Sequence, residues 1–145
     1  LVACVPMIMG TGGNSGAQAS VTVIRALSLG EIETKDVGKV ILKELLTSVL
    51  LGVTLAVACC LKLVYIDGML LGIEGYTWTV SLVVSLALLC TVVVAKLVGA
   101  ILPIFAKLCH LDPAVVANPF ITTIVDAVSV ILFCYLSIGI LPPMV

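Results

Sequence analysis

Long apolar runs alternate with short polar stretches along the whole chain. Four of these runs reach the length of helix, about 20 residues, that a bilayer core requires. They cover approximately residues 1–29, 40–66, 77–106 and 113–141. The pattern therefore predicts an all-α membrane protein, a helical bundle of about four transmembrane helices, in which residues 1–145 form a single transmembrane domain.

Composition supports a location in the lipid bilayer. The 145 residues are 62% hydrophobic and 10% charged, with a mean hydropathy of +1.37. In soluble domains about a quarter of the residues are charged, and such a domain could not bury so much apolar surface. The net charge of −1 gives no indication of a nucleic-acid partner. The six cysteines lack metal-site spacing, and we expect them to behave as small buried hydrophobes.

The positions of the charged residues predict an orientation. Basic residues gather at or beside the first and third connections: Arg25, Lys35, Lys39, Lys43, Lys96, Lys107 and His110. Connections rich in Lys and Arg stay cytoplasmic. The second connection, with Asp67 and Glu74, and the C-terminus are then outside. If the parent protein begins in the cytoplasm, we expect an odd number of spans, most simply one, ahead of Leu1. Lys43 and Glu44 are expected to be interfacial charges at the cytoplasmic edge, although Glu44 could also gather cations there.

The fourth apolar run contains a polar stripe. Asn118, Thr122, Asp126 and Ser129 follow one another at i, i+4, i+8 and i+11, which puts them on one side of a helix. A carboxylate near the bilayer centre costs a few kcal/mol, so such a group usually faces water, an ion or a proton path. An aspartate bonded to a neighbouring helix, or held protonated, is the structural alternative.

The stretch PMIMGTGGNSGAQAS, residues 6–20, interrupts the first apolar run with glycines and carboxamides. Asn14, Gln18, Thr22 and Arg25 repeat the spacing of the other stripe if a helix continues through them. We expect Pro6 and the glycines to free backbone carbonyls, which at membrane depth must line a wet cavity or be buried in protein. Tight packing through Gly12 and Gly16 is the alternative. The stretch lacks the GK[ST] of a P-loop and the spacing of a dinucleotide-binding turn.

The donor types indicate a hard cation. One carboxylate with amide and hydroxyl oxygens suits magnesium, which often meets proteins through one or two carboxylates and keeps several waters. A single Asp126 is too little for an all-protein cage, whereas a two-fold dimer would bring two of them around one hydrated ion.

These residues resemble the membrane domain of the MgtE family of magnesium channels, which is related to eukaryotic solute carriers. The resemblance rests on Pro6, GGNSGAQ from Gly12, the following VIRALSLGEI, and DPAVVANPFITTIVDAVS, and it covers nearly the whole chain. It implies a homodimer of five-helix domains whose pore is lined mainly by the second and fifth helices. The four runs here would be helices two to five, without the first helix and the cytosolic regulatory domains.

The resemblance also implies roles for individual residues. Asp126 matches the pore aspartate that holds hydrated Mg²⁺, Asn118 a polar residue nearer the cytoplasmic mouth, and Asp112 an acid at the start of that helix. The expected pore-lining positions are Gly12, Gly13, Asn14, Gln18, Thr122 and Ser129. The expected function is a magnesium-selective channel or transporter in a bilayer, with the bacterial inner membrane as its location.

Two other functions are compatible with parts of the pattern. In a proton- or sodium-coupled secondary transporter, Asp126 would be the coupling group and the broken first run would bind the substrate. An intramembrane aspartyl protease would need two carboxylates within reach of each other, and the chain has one deep aspartate and no GxGD sequence. We therefore expect no enzymatic activity.

Overall fold

Four long helices account for most of the chain. The computed structural model describes residues 2–73 and 75–141, and the side chains of Thr34 and of residues 116–118 lie outside this description. The helices are α1 Val5–Leu29, α2 Val37–Leu61, α3 Trp78–Leu108 and α4 Pro113–Ile140. Short 3₁₀ turns, Val2–Cys4 and Thr34–Asp36, precede α1 and α2, and a π-helical segment, Lys62–Leu70, extends α2.

The all-α membrane bundle predicted from the sequence is confirmed. Within the described residues, three stretches are long and apolar enough to cross a membrane: Val37–Leu70, Trp78–Leu108 and Pro119–Ile140. At 25 residues α1 is about 37 Å long, enough to span a bilayer core, but it carries glycines and carboxamides where the other helices carry leucine and valine.

The glycine-rich stretch does not break α1, so the expected interruption is wrong. Pro6 lies in the first turn, where a backbone N–H has no acceptor inside the helix and its loss costs nothing. The helix then continues through all four glycines to Leu29. It ends at Gly30, whose φ of 71° is left-handed and whose N–H donates to the carbonyl of Ala26.

The second predicted connection begins later than expected because α2 continues as a π-helix to Leu70. In a π-helix, residues five apart are neighbours along the axis. Lys62 and Asp67 have this spacing, and the ammonium lies 2.6 Å from the carboxylate, whose side chain is 8% exposed. The pair gives a buried acid a counter-charge within the same segment.

α3 is the centre of the bundle and packs against α1, α2 and α4. Small residues allow the close approach: a Cβ on Gly16 would lie 2.9 Å from the carbonyl oxygen of Ala95, and one on Gly52 would lie 3.3 Å from the Leu89 side chain. Interhelical contact in a membrane depends on this kind of packing, because lipid is as apolar as leucine.

The cysteines are all free thiols and divide by burial. Cys4 and Cys59 are buried in one apolar cluster with Ile8, Leu63 and Phe133, as expected for small hydrophobes. Cys109 and Cys134 are exposed, contrary to that expectation. Their exposure follows from the narrow bundle, in which much of the surface of each helix faces outward.

Candidate functional site

Asp126 lies at the middle of α4, 13 residues after Pro113 and 14 before Ile140. Its neighbours Ile121 and Val125 are buried against α1, where they face Gly16 and Gly12. Asp126 itself is half-buried and has no hydrogen-bond or ion-pair partner among the described residues. The carboxylate is therefore at the edge of the helix contact, with one side open.

The other two acids inside the spans are more deeply buried, and each is paired. Glu44 lies 3.1 Å from Lys96 of α3, and Asp67 is paired with Lys62. Glu44 was expected to be an interfacial charge, but its side chain does not extend into solvent, because α3 covers it to 9% exposure. Asp126 thus differs from both acids by lacking a basic partner in the described part of the chain.

The rest of the α4 stripe divides between two environments. Thr122 is exposed and donates to the carbonyl oxygen of Pro119. Ser129 is buried beside Gly12, and its hydroxyl donates to the carbonyl oxygen of Val125. The side chain of Asn118 lies outside the described residues. Within one chain, Asp126 and Thr122 therefore share the open face, whereas Ser129 packs inside the bundle.

α1 has a packed side and an open side. Gly12 is buried against Thr91 and Val125, so the tight-packing alternative holds for this glycine and for Gly16. Gly13 is half-buried, and a Cβ there would meet nothing within 4 Å. The predicted polar stripe lies on the open side, where all four of its members are exposed: Asn14, Gln18, Thr22 and Arg25.

Asp112 caps the N-terminus of α4, where one carboxylate oxygen accepts from the N–H of Ala114 at 2.9 Å. It lines a pocket of about 210 Å³ that also includes Lys107. Lys107 donates to the carbonyl oxygen of Leu27 at the C-terminal end of α1. From Asp112 to Asp126 the helix rises about 21 Å, so the two carboxylates are separate sites along one helix.

The oxygen donors on the open faces of α1 and α4 are a carboxylate, carboxamides and hydroxyls, which suit a hard cation. Among the described residues, no group of three or more His, Cys, Asp and Glu side chains comes together. One chain thus presents a single acid with neutral oxygens, and a divalent ion beside it would keep much of its water.

Lys96 was misplaced by the sequence pattern, which assigned it to the third connection. It lies well inside α3, 12 residues before the helix ends at Leu108. The signal was available: Lys96 is flanked by apolar residues on both sides, and an acid, Glu44, stands in the preceding antiparallel helix. An intramembrane base with an available acid predicts an interhelical pair.

Comparison with known proteins identifies the family of this chain. The MgtE family, described as divalent cation transporters, matches residues 5–136. A magnesium transporter MgtE of Thermus thermophilus is 39% identical over 137 residues, which cover 93% of this chain and 28% of that protein. Magnesium transporters MgtE of Bacillus subtilis and Enterococcus faecalis are 31% and 29% identical over 88% and 92% of this chain.

This chain spans about 28% of the length of the relatives that it matches. The match includes nearly all of α1 to α4 and therefore both polar stripes. The motifs in α1 and α4 and the family match point to the same assignment. The chain belongs to the MgtE family of divalent cation transporters.

Proposed function

We propose that this chain forms a magnesium-conducting pore at the axis of a homodimer, with the two Asp126 carboxylates holding a hydrated Mg²⁺ between them. The proposal rests on one observation above all. Asp126 is a half-buried acid at the middle of a membrane-spanning helix and lacks a basic partner in the described part of the chain.

Such a carboxylate is unfavourable in contact with lipid. Charged groups at the centre of a bilayer cost a few kcal/mol and are found facing a bundle interior or a water-filled cavity. Lysines neutralise the two other acids inside the spans: Glu44 is paired with Lys96, and Asp67 with Lys62. For Asp126, a water-filled passage containing a divalent cation would supply the solvation and the opposite charge.

The open side of α1 supports a second copy as the partner. Asn14 and Gln18 are exposed in the single chain, one helical turn apart, at positions where lipid would leave their amides without hydrogen-bond partners. A two-fold axis beside α1 and α4 would put these side chains and their symmetry mates around one aqueous space. Gly13 and Thr122 would belong to the same wall, with Gly12 and Ser129 packed behind it.

Magnesium fits the donors better than a cation that must lose its water. Mg²⁺ dehydrates reluctantly and commonly binds through one or two carboxylates with several waters retained. Two aspartates around the axis would balance its charge. Asn118 would contact the ion nearer the cytoplasm, and Asp112 would attract cations at that end. The relatives of this chain are named magnesium transporters.

The proposed orientation follows the distribution of basic residues, with the connections α1–α2 and α3–α4 in the cytoplasm and the C-terminus outside. The bacterial inner membrane is the proposed location. A coupled transporter loses one of its arguments, because the broken first helix on which it relied is continuous. Flux that depends on a proton or sodium gradient would still favour coupling over a channel.

The test is magnesium uptake by the intact protein in liposomes, comparing wild type with Asp126→Asn, Asp126→Ala and Glu31→Gln. Glu31 is an exposed acid in the first connection, so its substitution makes the same charge change away from the pore. We expect uptake to fall about tenfold or more in both Asp126 variants, because the charged contact with the ion is lost, and to stay unchanged in Glu31→Gln. Wild-type uptake in both Asp126 variants would refute the proposed ion site.

A further inference from the structure

Glu44 and Lys96 form an ion pair between α2 and α3 that the proposed ion path does not use. The carboxylate lies 3.1 Å from the ammonium, and the two side chains are 9% and 13% exposed. The Thr47 hydroxyl, one turn further along α2, lies 3.4 Å from the same carboxylate oxygen and 3.4 Å from the ammonium. Both charges are therefore enclosed between the two helices.

The peptide that carries Lys96 also belongs to a second interface. This peptide bond joins the carbonyl of Ala95 to the nitrogen of Lys96. A Cβ on Gly16 of α1 would lie 2.9 Å from the carbonyl oxygen of Ala95. One side of the peptide thus packs on α1, and the Lys96 side chain reaches α2. A displacement of Lys96 along α3 would move the backbone against which α1 rests.

The ion pair also lies in the contact between α2 and α3. α2 packs mainly on α3, and apart from Gly52 against Leu89 its residues in the core cluster are apolar: Leu51, Leu55 and Cys59. Apolar contacts of this kind tolerate sliding, because lipid replaces one leucine contact by another. A slide of one helical turn, about 5.4 Å, would separate Glu44 from Lys96 and leave both charges unpaired in the membrane.

We propose that Glu44 and Lys96 are positioning residues: their ion pair sets the alignment of α2 with α3 and, through the Ala95–Lys96 peptide, holds α1 where its open face lines the ion path. Specifying one alignment is the best-attested role of buried charges between helices. The effect on ion passage rests on the proposed function, whereas the alignment does not.

The first experiment measures thermal unfolding of the intact purified protein. The variants are Glu44→Gln, Lys96→Met, the double variant, and the exchanged pair Glu44→Lys with Lys96→Glu. Lys43→Met is the matched control, since Lys43 is the exposed neighbour of Glu44. We expect each single variant to lower the midpoint by about 5 °C or more and Lys43→Met to leave it unchanged.

Restoration of the charge balance should reverse the loss. We expect the double variant and the exchanged pair to regain at least half of the midpoint lost by the worse single variant. Additive losses in the double variant, or singles that behave like Lys43→Met, would overturn the assigned role of the pair.

The second experiment measures magnesium flux per folded protein in liposomes. For Lys96→Met we expect the maximal rate to fall about threefold or more, with an unchanged Mg²⁺ concentration at half-maximal flux, because Asp126 is not altered. The exchanged pair should restore the rate. If Lys96→Met conducts at the wild-type rate per folded molecule, the ion pair does not hold α1 in position for ion passage. Absence of magnesium flux in the wild type would refute the proposed function and leave the unfolding result to decide the alignment.

Discussion

Gly16 of α1 and Gly99 of α3 pack backbone to backbone. A methyl group on Gly99 would overlap the carbonyl oxygen of Gly16, so no other residue fits at position 99 without separating the helices. The neighbouring Ala95 and Ile121 complete the contact on either side of Gly16. The close approach of α1 to the centre of the bundle therefore depends on the absence of side chains at two positions.

Substitution of Gly99 by alanine should destabilise the bundle. We expect a loss of about 2 kcal/mol or more in unfolding free energy, because the obstacle is backbone and cannot rotate away. Gly10→Ala is the control, since a Cβ there meets nothing within 4 Å and alanine favours a helix. Unfolding in detergent with denaturant measures both. Equal stability of Gly99→Ala and Gly10→Ala would contradict the packing described here.

Gly12→Ala should be partly rescued by a second substitution in α3. A Cβ on Gly12 would lie 2.6 Å from the Thr91 side-chain methyl and 2.9 Å from a Val125 methyl. Thr91→Ser removes the nearer obstacle and keeps the hydroxyl. We therefore expect Gly12→Ala with Thr91→Ser to be more stable than Gly12→Ala alone, by about 1 kcal/mol. Strict additivity of the two changes in a double-mutant cycle would disprove this contact.

Gln18→Leu should reduce magnesium uptake without reducing stability. Gln18 is exposed in the single chain and lies on the open side of α1, so leucine removes a polar group from the proposed passage without disturbing the core. Thr54→Leu makes a comparable change at an exposed position of α2, away from that face. We expect uptake in liposomes to fall in Gln18→Leu and to stay at the wild-type level in Thr54→Leu. A loss of uptake in Thr54→Leu together with wild-type uptake in Gln18→Leu would argue against α1 as a pore helix.

The start of α2 should loosen in acid. The N–H of Glu33 donates to the Asp36 carboxylate, and this bond, followed by the contact with Lys39, lowers the pKa of Asp36 below its usual value. A carboxylate with a lowered folded-state pKa contributes stability above its unfolded pKa, about 3.9, and loses it as pH falls through the folded value.

Hydrogen exchange of the amides in residues 33–40, corrected for intrinsic rates, measures this effect. We expect protection at about pH 6 and its loss below about pH 4 in the wild type. Asp36→Asn should show weaker protection and a smaller change over that range. The same pH profile in both proteins would assign the transition to another group.

The lengths of the apolar runs were sufficient to locate the helices. All four predicted segments are present, and α3 begins within one residue and α4 ends within one residue of its predicted position. The reason is physical: a helix that crosses lipid must satisfy its backbone internally and carry apolar side chains over a fixed length, so the constraint is local. The continuation of α2 as a π-helix was missed, because Asp67 and Gly68 interrupt the apolar run at the predicted start of the second connection.

The arrangement of the candidate site was also predicted only in part. Spacing alone was enough to put Asp126 and Thr122 on one side of α4, and Asn14 and Gln18 on one side of α1, because these positions depend only on helix geometry. It did not indicate that Gly12 and Ser129 face each other inside the bundle, since that requires the contact between α1 and α4.

The sequence by itself determined that the chain is a membrane bundle, which faces of its helices are polar, and to which family it belongs, because composition, helical period and motif are properties of consecutive residues. Tertiary structure alone decided which charges are paired between helices. Glu44 and Lys96 are 52 residues apart in sequence and 3.1 Å apart in space, and only the packing of α2 on α3 joins them. The same packing leaves Asp126 without a basic partner among the described residues, because no lysine or arginine of α1 or α3 is brought to it.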